Sequence, residues 1–522
     1  VVTHEVGANS LRSRRTDTVL FELAGWLVAA ALAMALVART AQAHAGILFT
    51  DGDSVLPVLM QRSLAVGQPQ DWALSPVLFL PESAVFTLLS LAGASSQATL
   101  AVNAVVNLLA LYGALRLVSG TRAHARRPVM SALAAFTIVI AVGLLEQATR
   151  SVAFAFVTML TTTTYYSATV IGGIALIGVL RRAVESDPTT PVTLVMAVAI
   201  AAVSTLTNPL FAAWIVLPLL ATLTVLALRR LLRPGRAITW ATALGLAVAV
   251  GYAARALFAS HIVADAGQYL RWFDLPSAGM FYGPLAGEAL ATPAGILRLV
   301  IVAGLVALTL VVLVDAVRHR RAATSLVGLV ALLSPVLTTV GVLVLGAQAD
   351  RYLQPWLFLP VLGVIVAADA LPSPATLPAR ARRALAGAGV VLALALTAAV
   401  SAPALARSAS TLDADLKCVV DWVNASGRTG AGQFWTVRGP KAYLDDPRRL
   451  IQVDHRMEFY EWLVNRADLS GRGQVTFLVE GPRTVPFELP LTVPDVDAPR
   501  IDCGAYVIVD YGTPIPVTGA HS

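Results

Sequence analysis

Long apolar runs broken by short arginine-rich or polar segments set the pattern of this chain. Runs of roughly 20 apolar residues, each enough for a helix to cross a hydrocarbon core of about 30 Å, occur near 19–38, 99–119, 129–148, 166–180, 191–207, 210–228, 237–258, 295–316, 324–346, 356–372 and 384–404. The pattern predicts a polytopic helical membrane protein with about eleven crossings between residues 19 and 404, preceded by a short cytoplasmic segment, 1–18. Residues 405–522 break the rhythm. Short β-like runs (Gln433–Val437, Leu450–Val453, Gln474–Val479, Ala505–Val509) alternate there with helical patterns at Leu412–Asn424 and Glu458–Ala467. This predicts a small C-terminal α/β domain.

Composition agrees: 57% of the 522 residues are hydrophobic, 13% are charged, and mean hydropathy is +0.73. Such values lie far outside those of a soluble domain of this length. The charge then orients the chain. Arg12, Arg14 and Arg15 precede the first run, and later clusters fall at Arg122/Arg126/Arg127, Arg181/Arg182, Arg229/Arg230/Arg233/Arg236, Arg318/Arg320/Arg321 and Arg380/Arg382/Arg383. With an odd number of spans and the N-terminus inside, every cluster is cytoplasmic, as the positive-inside rule requires. The C-terminal domain, which carries a slight excess of acids, is then extracytoplasmic. The net charge of +7 is therefore a topology signal, and nothing in it points to nucleic acid. The N-terminal arginines, the apolar stretch and Ala41-Gln42-Ala43 look like a signal peptide, yet the stretch is too long for one, so a retained first span is expected.

Both cysteines, Cys418 and Cys503, lie in the C-terminal domain, one in its opening helix pattern and one before its last strand. An oxidising compartment would let them close a disulfide across that domain.

Groups with chemical potential concentrate on the predicted outer side. The first external loop, 39–98, holds Asp51 and Asp53 in Phe49-Thr50-Asp51-Gly52-Asp53-Ser54, then a helical pattern over Ser54–Leu64 suited to the membrane interface. There Asp53 has a competing local role as the cap of that helix, which favours Asp51 for chemistry. Other outer-side groups are Asp71, Glu82, Glu146, Arg150, His261, Asp265, Arg271, Asp274, Glu288, Asp350 and Arg351. Tyr352 and Trp356 read as interface-belt aromatics, and the run Thr161–Thr164 with Tyr165-Tyr166 as hydrogen bonding at a helix end. In the C-terminal domain, Trp422, Trp435, Tyr460 and Trp462 read first as core residues, with carbohydrate stacking as the alternative.

Taken together, the many spans, the acidic motif soon after the first span, the interfacial helix beside it, the outer-end Asp350-Arg351-Tyr352-Leu353-Gln354-Pro355 and the C-terminal outer domain resemble the C-type (GT-C) superfamily of integral-membrane glycosyltransferases. The resemblance implies transfer of a sugar from a polyprenyl-phosphate donor to a cell-envelope glycan or lipid acceptor, at the outer face of a bacterial plasma membrane. It implies a loop-one aspartate, Asp51 or Asp53, as base, and arginines for the donor phosphate, with Arg351, Arg150 and Arg271 as candidates. Glu146, Asp265, Asp274 and Asp350 are reserve acids. The corner Thr207-Asn208-Pro209-Leu210 departs from the family pattern, where an acid before the proline fits better.

No cofactor is required by this reading, and the D-x-D spacing leaves a divalent cation open. No Walker A sequence, dinucleotide fingerprint or H-E-x-x-H motif is present. Two rivals remain: a transporter or flippase, opposed by the scarcity of charge in the middles of the spans, and a non-catalytic envelope assembly protein whose outer domain binds a partner.

Overall fold

A computed structural model describes residues 2–121, 125, 127–149, 151–186, 190–263, 272–370, 379–471, 473–489 and 498–521. Among them, nine helices are long and apolar enough to cross a membrane, beginning with Val19–Ala43 and Ser96–Val118; two shorter apolar helices are Pro191–Thr207 and Ala212–Leu228. In each, the backbone hydrogen bonds are satisfied within the helix, which a hydrocarbon environment demands. Their outward faces stay apolar, as at Leu246, Val250, Leu310 and Val311, all more than half exposed. The chain is a membrane-embedded helical protein with a sheet-containing C-terminal region.

Local sequence explains where the helices start. Proline opens the helices Pro128–Glu146, Pro191–Thr207, Pro234–Ala254 and Pro293–Arg318, a position where its missing N–H costs nothing. Thr190 and Thr292 cap two of them by accepting from the backbone N–H three residues on. The apolar run near 356–372 is not one helix. A 3-10 turn, Asp350–Leu353, leads into Pro355–Phe358, and the chain kinks before resuming at Leu362–Ala370. Pro360 lies in the kink, and Thr309 Oγ1 donates to its carbonyl at 3.0 Å. Arg351 sits in the 3-10 turn that opens this segment.

The first loop folds as expected in outline. Leu56–Ala65 is a helix, but Leu56, Pro57, Val58 and Leu59 are all buried in the protein, so it is packed rather than merely interfacial. Trp72–Ala73 forms a short strand, β1, and Leu80–Ser90 a further helix. The Asn208 corner is structural: its amide nitrogen donates to Thr169 Oγ1 at 2.9 Å, and its amide oxygen accepts from Leu210 N at 3.1 Å.

In the C-terminal region, strands β2 (Gly430–Gln433), β3 (Leu450–Val453), β4 (Glu458–Tyr460), β6 (Gln474–Glu480), β7 (Arg500–Cys503), β8 (Tyr506–Pro516) and β9 (Thr518–His521) form a mixed sheet in the order β7-β8-β6-β2-β3-β4-β9. The pleat sends Phe477 and Val479 to one face, against Leu416, Val419 and Val423 of the helix Ala414–Ser426. Leu478 goes to the other, as does Val475 because the register shifts between Val475 and Phe477, and Ala73 and Val263 of the membrane loops help to cover that face. Cys418 and Cys503 are disulfide-bonded, closing a loop of 85 residues.

Two expectations here are corrected. Gln433–Val437 is not a strand: β2 ends at Gln433, and Phe434–Lys441 is a helix. Glu458–Ala467 is not a helix but β4 followed by β5 (Val464–Asn465). Met457, just before the segment, and Leu463, within it, adopt φ of 62° and 51°, left-handed turns that stop a helix from propagating.

Candidate active site

The first loop and the C-terminal region are joined along a continuous polar seam. β1 pairs antiparallel with β5, Gln68 Nε2 donates to Asp468 Oδ1 at 2.8 Å, and Asn465 Nδ2 donates to Ser63 Oγ at 2.8 Å. Asp468 also forms a buried ion pair with Lys441. Closer to the aspartates, Tyr443 OH donates to the Phe49 carbonyl at 2.7 Å. Gly52, between the two acids, lies against the next helix: a Cβ there would stand 3.0 Å from the Phe434 ring and 3.2 Å from the Trp435 ring. Glycine is needed for that approach.

Asp51 ends a π-helical turn, Gly46–Thr50, and folds back on its own chain. Its Oδ2 accepts from Ser54 N at 3.0 Å, Ser54 Oγ at 3.1 Å and Tyr165 OH at 3.1 Å. Asp51 thus closes a turn on Ser54, and the helix cap expected of Asp53 is made by neither acid. The residue before the Leu56–Ala65 helix is Val55, and no side chain caps that helix. The reason is geometric, since an Asx-type turn reaches two or three residues on, and Asp51 is the acid at that distance from Ser54. Asp53 accepts no side-chain hydrogen bond among the described residues and remains partly exposed.

Two guanidinium groups flank the acids. Arg351 Nε donates to Tyr166 OH at 3.2 Å, and its carbon lies 5.8 Å from the ring centres of both Tyr165 and Tyr352. Tyr352 in turn stacks on Tyr166, centroids 6.1 Å apart, so it is packed into the site rather than standing at a membrane belt. Arg438, 1% exposed on the Phe434–Lys441 helix, donates from Nε to the Gly52 carbonyl at 2.5 Å and from Nη1 to the Leu463 carbonyl. Its carbon sits 4.9 Å from the Phe434 ring centre. Trp435 is 47% exposed and presents an aromatic face where Gly52 separates the acids. Trp422, by contrast, is a core residue, edge-on to Phe477 at 4.8 Å.

The electrostatics follow from this burial. Asp53 is raised from 3.8 to about 6, first by burial and then by the neighbouring Asp51 charge, with Arg351 and Arg438 pulling the other way. Burial also raises Asp51, against the hydrogen bonds from Ser54 and Tyr165. Tyr165 is pushed well above its ordinary 10, by burial and then by both carboxylates, so it stays a proton donor to Asp51. Burial lowers Arg438 to about 10, which still leaves it charged near neutrality. One acid is therefore fixed by three donors, and the other is unfixed and ready to take a proton at moderate pH.

Of the other expected site residues, Asp350 joins the edge of the constellation, its Oδ2 accepting from Phe154 N at 2.8 Å. Glu146 does not serve the site: it is fully buried and accepts from Val157 N, Thr158 N and Thr158 Oγ1 at the start of the helix Phe156–Leu160. Asp274 caps the helix Leu275–Leu290 by accepting from Ser277 N at 3.2 Å. Arg150, Asp265 and Arg271 lie outside the described residues.

Sequence reasoning missed Arg438 altogether as a site residue, and it read Tyr165 as helix-end hydrogen bonding in preference to a sugar platform, not as a donor to Asp51. Two carboxylates are too few to cage a calcium ion, whereas magnesium, which keeps waters and takes phosphate oxygens from a substrate, needs no more than two; Arg351 and Arg438 already offset part of the Asp53 charge. No protein-family model matches the chain, and no curated protein matches it.

Proposed function

We propose that the protein is a membrane glycosyltransferase of the GT-C type that uses a polyprenyl-phosphate sugar as donor. The observation that carries this reading is the pairing of a raised, unfixed carboxylate, Asp53, with two arginines that offset its charge, the half-buried Arg351 and the buried Arg438. Acids with raised pKa beside fixed cations mark functional sites more often than structural ones. The nine long apolar helices and the two shorter ones are compatible with eleven crossings, an inside N-terminus and an extracytoplasmic C-terminal domain of a bacterial plasma membrane.

In this reading an acceptor hydroxyl attacks the anomeric carbon of the donor. The new C–O bond forms as the bond to the lipid phosphate breaks, the hydroxyl proton passes to Asp53, and polyprenyl phosphate leaves with its charge balanced by Arg351. Asp51, held by Ser54 and Tyr165, keeps the loop in place and raises Asp53 by its own charge. Arg438 fixes the Gly52 carbonyl between the two acids. The exposed Trp435 face suits a sugar ring of the acceptor or donor.

The test is covalent. Purified protein in detergent, where there are no two sides to transport between, is given lipid-linked sugar donors and envelope acceptors, and the acceptor is weighed by mass spectrometry. A gain of one sugar, lost in Asp53→Asn, supports the reading. Absence of transfer from every lipid-linked donor class sinks it and returns the transporter and assembly readings.

A further inference from the structure

Arg298 stands on the inward stripe of the helix Pro293–Arg318, with Gly295, Leu305 and Thr309. It is 7% exposed, and its Nε and Nη1 are buried without a hydrogen-bond partner. No ion pair reaches it among the described residues. Glu146 feels its charge, but both oxygens of that carboxylate are taken by the amides of Val157 and Thr158 and the Thr158 hydroxyl, at 2.7–3.1 Å. Glu146 thus offsets part of the charge while offering the guanidinium no bond. A guanidinium carries five N–H donors in a fixed planar fork, and it cannot shed its proton. Leaving such donors empty at membrane depth is costly, and the usual resolution is an anion.

The position says which anion. Arg298 lies five residues into the helix, about 8 Å along its axis at 1.5 Å per residue, close to where headgroup phosphates meet the acyl chains. Its neighbours Ile296, Leu297 and Leu299 are about half exposed and apolar, so the helix borders lipid beside the arginine. We infer that Arg298 binds the phosphate group of a membrane lipid in a recess between the outer turns of the helices Pro293–Arg318 and Pro128–Glu146. The site does not depend on the glycosyltransferase reading, since its occupant is recognised by its phosphate whether or not it carries a sugar.

The experiment uses the full chain, delipidated in neutral detergent, with thermal stability followed as lipid is added. The probes are phosphatidylglycerol, polyprenyl phosphate, a phosphate-free diacylglycerol glycolipid and inorganic phosphate. Wild-type protein is expected to be protected by a phosphate-bearing lipid and not by the glycolipid. Arg298→Gln is expected to need about tenfold more of that lipid or worse, the scale of a lost charge-assisted hydrogen bond. Which of the two phospholipids protects at lower concentration identifies the source.

Three results overturn the inference: equal protection by the phosphate-free glycolipid, unchanged affinity in Arg298→Gln, or full protection by inorganic phosphate alone, which makes the ligand a free anion. Should Arg298→Gln fail to fold, Arg298→Lys keeps the charge but loses the planar fork. Severalfold weaker binding is expected there, and unchanged affinity counts against the site.

Discussion

Replacing Asp53 with Asn separates chemistry from stability in opposite directions. The carboxyl stands about 2 pH units above its ordinary 3.8, at about 6, so the folded state holds the proton more tightly than the unfolded chain does. At about 1.4 kcal/mol per unit, ionising Asp53 costs the fold about 3 kcal/mol. That cost is absent below pH 3.8, grows between 3.8 and 6, and is complete above 6. Asn keeps the shape and carries no charge, so Asp53→Asn is expected to stabilise the protein by up to about 3 kcal/mol at pH 7.5 and by almost nothing at pH 4. Transfer activity should meanwhile fall by about 10²–10⁴, the scale of a positioned general base. In wild type the rate should rise through pH 6 and level off above it. Denaturation of the two proteins in detergent at both pH values, beside a pH–rate profile, measures all of this. A variant no more stable than wild type at pH 7.5, or equally stabilised at pH 4, refutes the electrostatic argument, and retained transfer refutes the catalytic one.

Arg438→Met removes a cation that holds Asp53 down, so the midpoint of the pH–rate profile should move above 6; an unmoved midpoint would mean that Arg438 does not act on Asp53. Tyr165→Phe deletes one of the three donors to Asp51, worth about 1 kcal/mol, and transfer should slow severalfold with the melting temperature nearly unchanged. Gly52→Ala sets a methyl 3.0 Å from Phe434 and 3.2 Å from Trp435, so these rings must give by a few tenths of an ångström, and a changed tryptophan emission should accompany slowed transfer; unchanged emission and rate would mean that the contact is not limiting. Reducing the Cys418–Cys503 bond frees an 85-residue loop and should cost about 2–5 kcal/mol, seen as a lower melting temperature and as thiol labelling only after reductant.

How much of this was legible in the sequence depended on whether the cause was local. The apolar runs gave the helices because a membrane span is specified by its own residues, and the Leu56–Ala65 helix followed from its spacing for the same reason. Cys418 and Cys503 were readable as a pair because the chain has no other cysteine to choose from. Arg351 was readable from its place at the end of an apolar run. Tyr165 was not, since its hydroxyl meets Asp51 only through packing 114 residues apart in sequence. Glu458–Ala467 was misread because its aromatic and apolar residues also fit a helical period, and the left-handed turns just before it and within it, at Met457 and Leu463, belong to neither Gly nor Asn. The cap read for Asp53 is absent, because the Leu56–Ala65 helix starts after Val55 without a side-chain cap and the Asp51 carboxylate is taken by Ser54 and Tyr165.

Arg438 is the most instructive omission, because it joins two regions that the sequence presents as separate. A carboxylate at a membrane rim opens to water on one side, and water would return its pKa toward the ordinary value. Covering it takes protein, and here the cover is the Phe434–Lys441 helix, seated on Gly52 by close contact and by the Arg438 bond to the Gly52 carbonyl. The same helix that dries the site also brings in a cation, so burial and charge compensation arrive together. A buried guanidinium is tolerated only where carbonyls and acids meet it, and those come from the first loop at Gly52 and Asp53 and from the C-terminal region at Leu463. Neither region completes the site alone. The C-terminal region therefore helps to bury Asp53, and losing its contact with the first loop should leave Asp53 near an ordinary aspartate in acidity while every membrane helix stays in place.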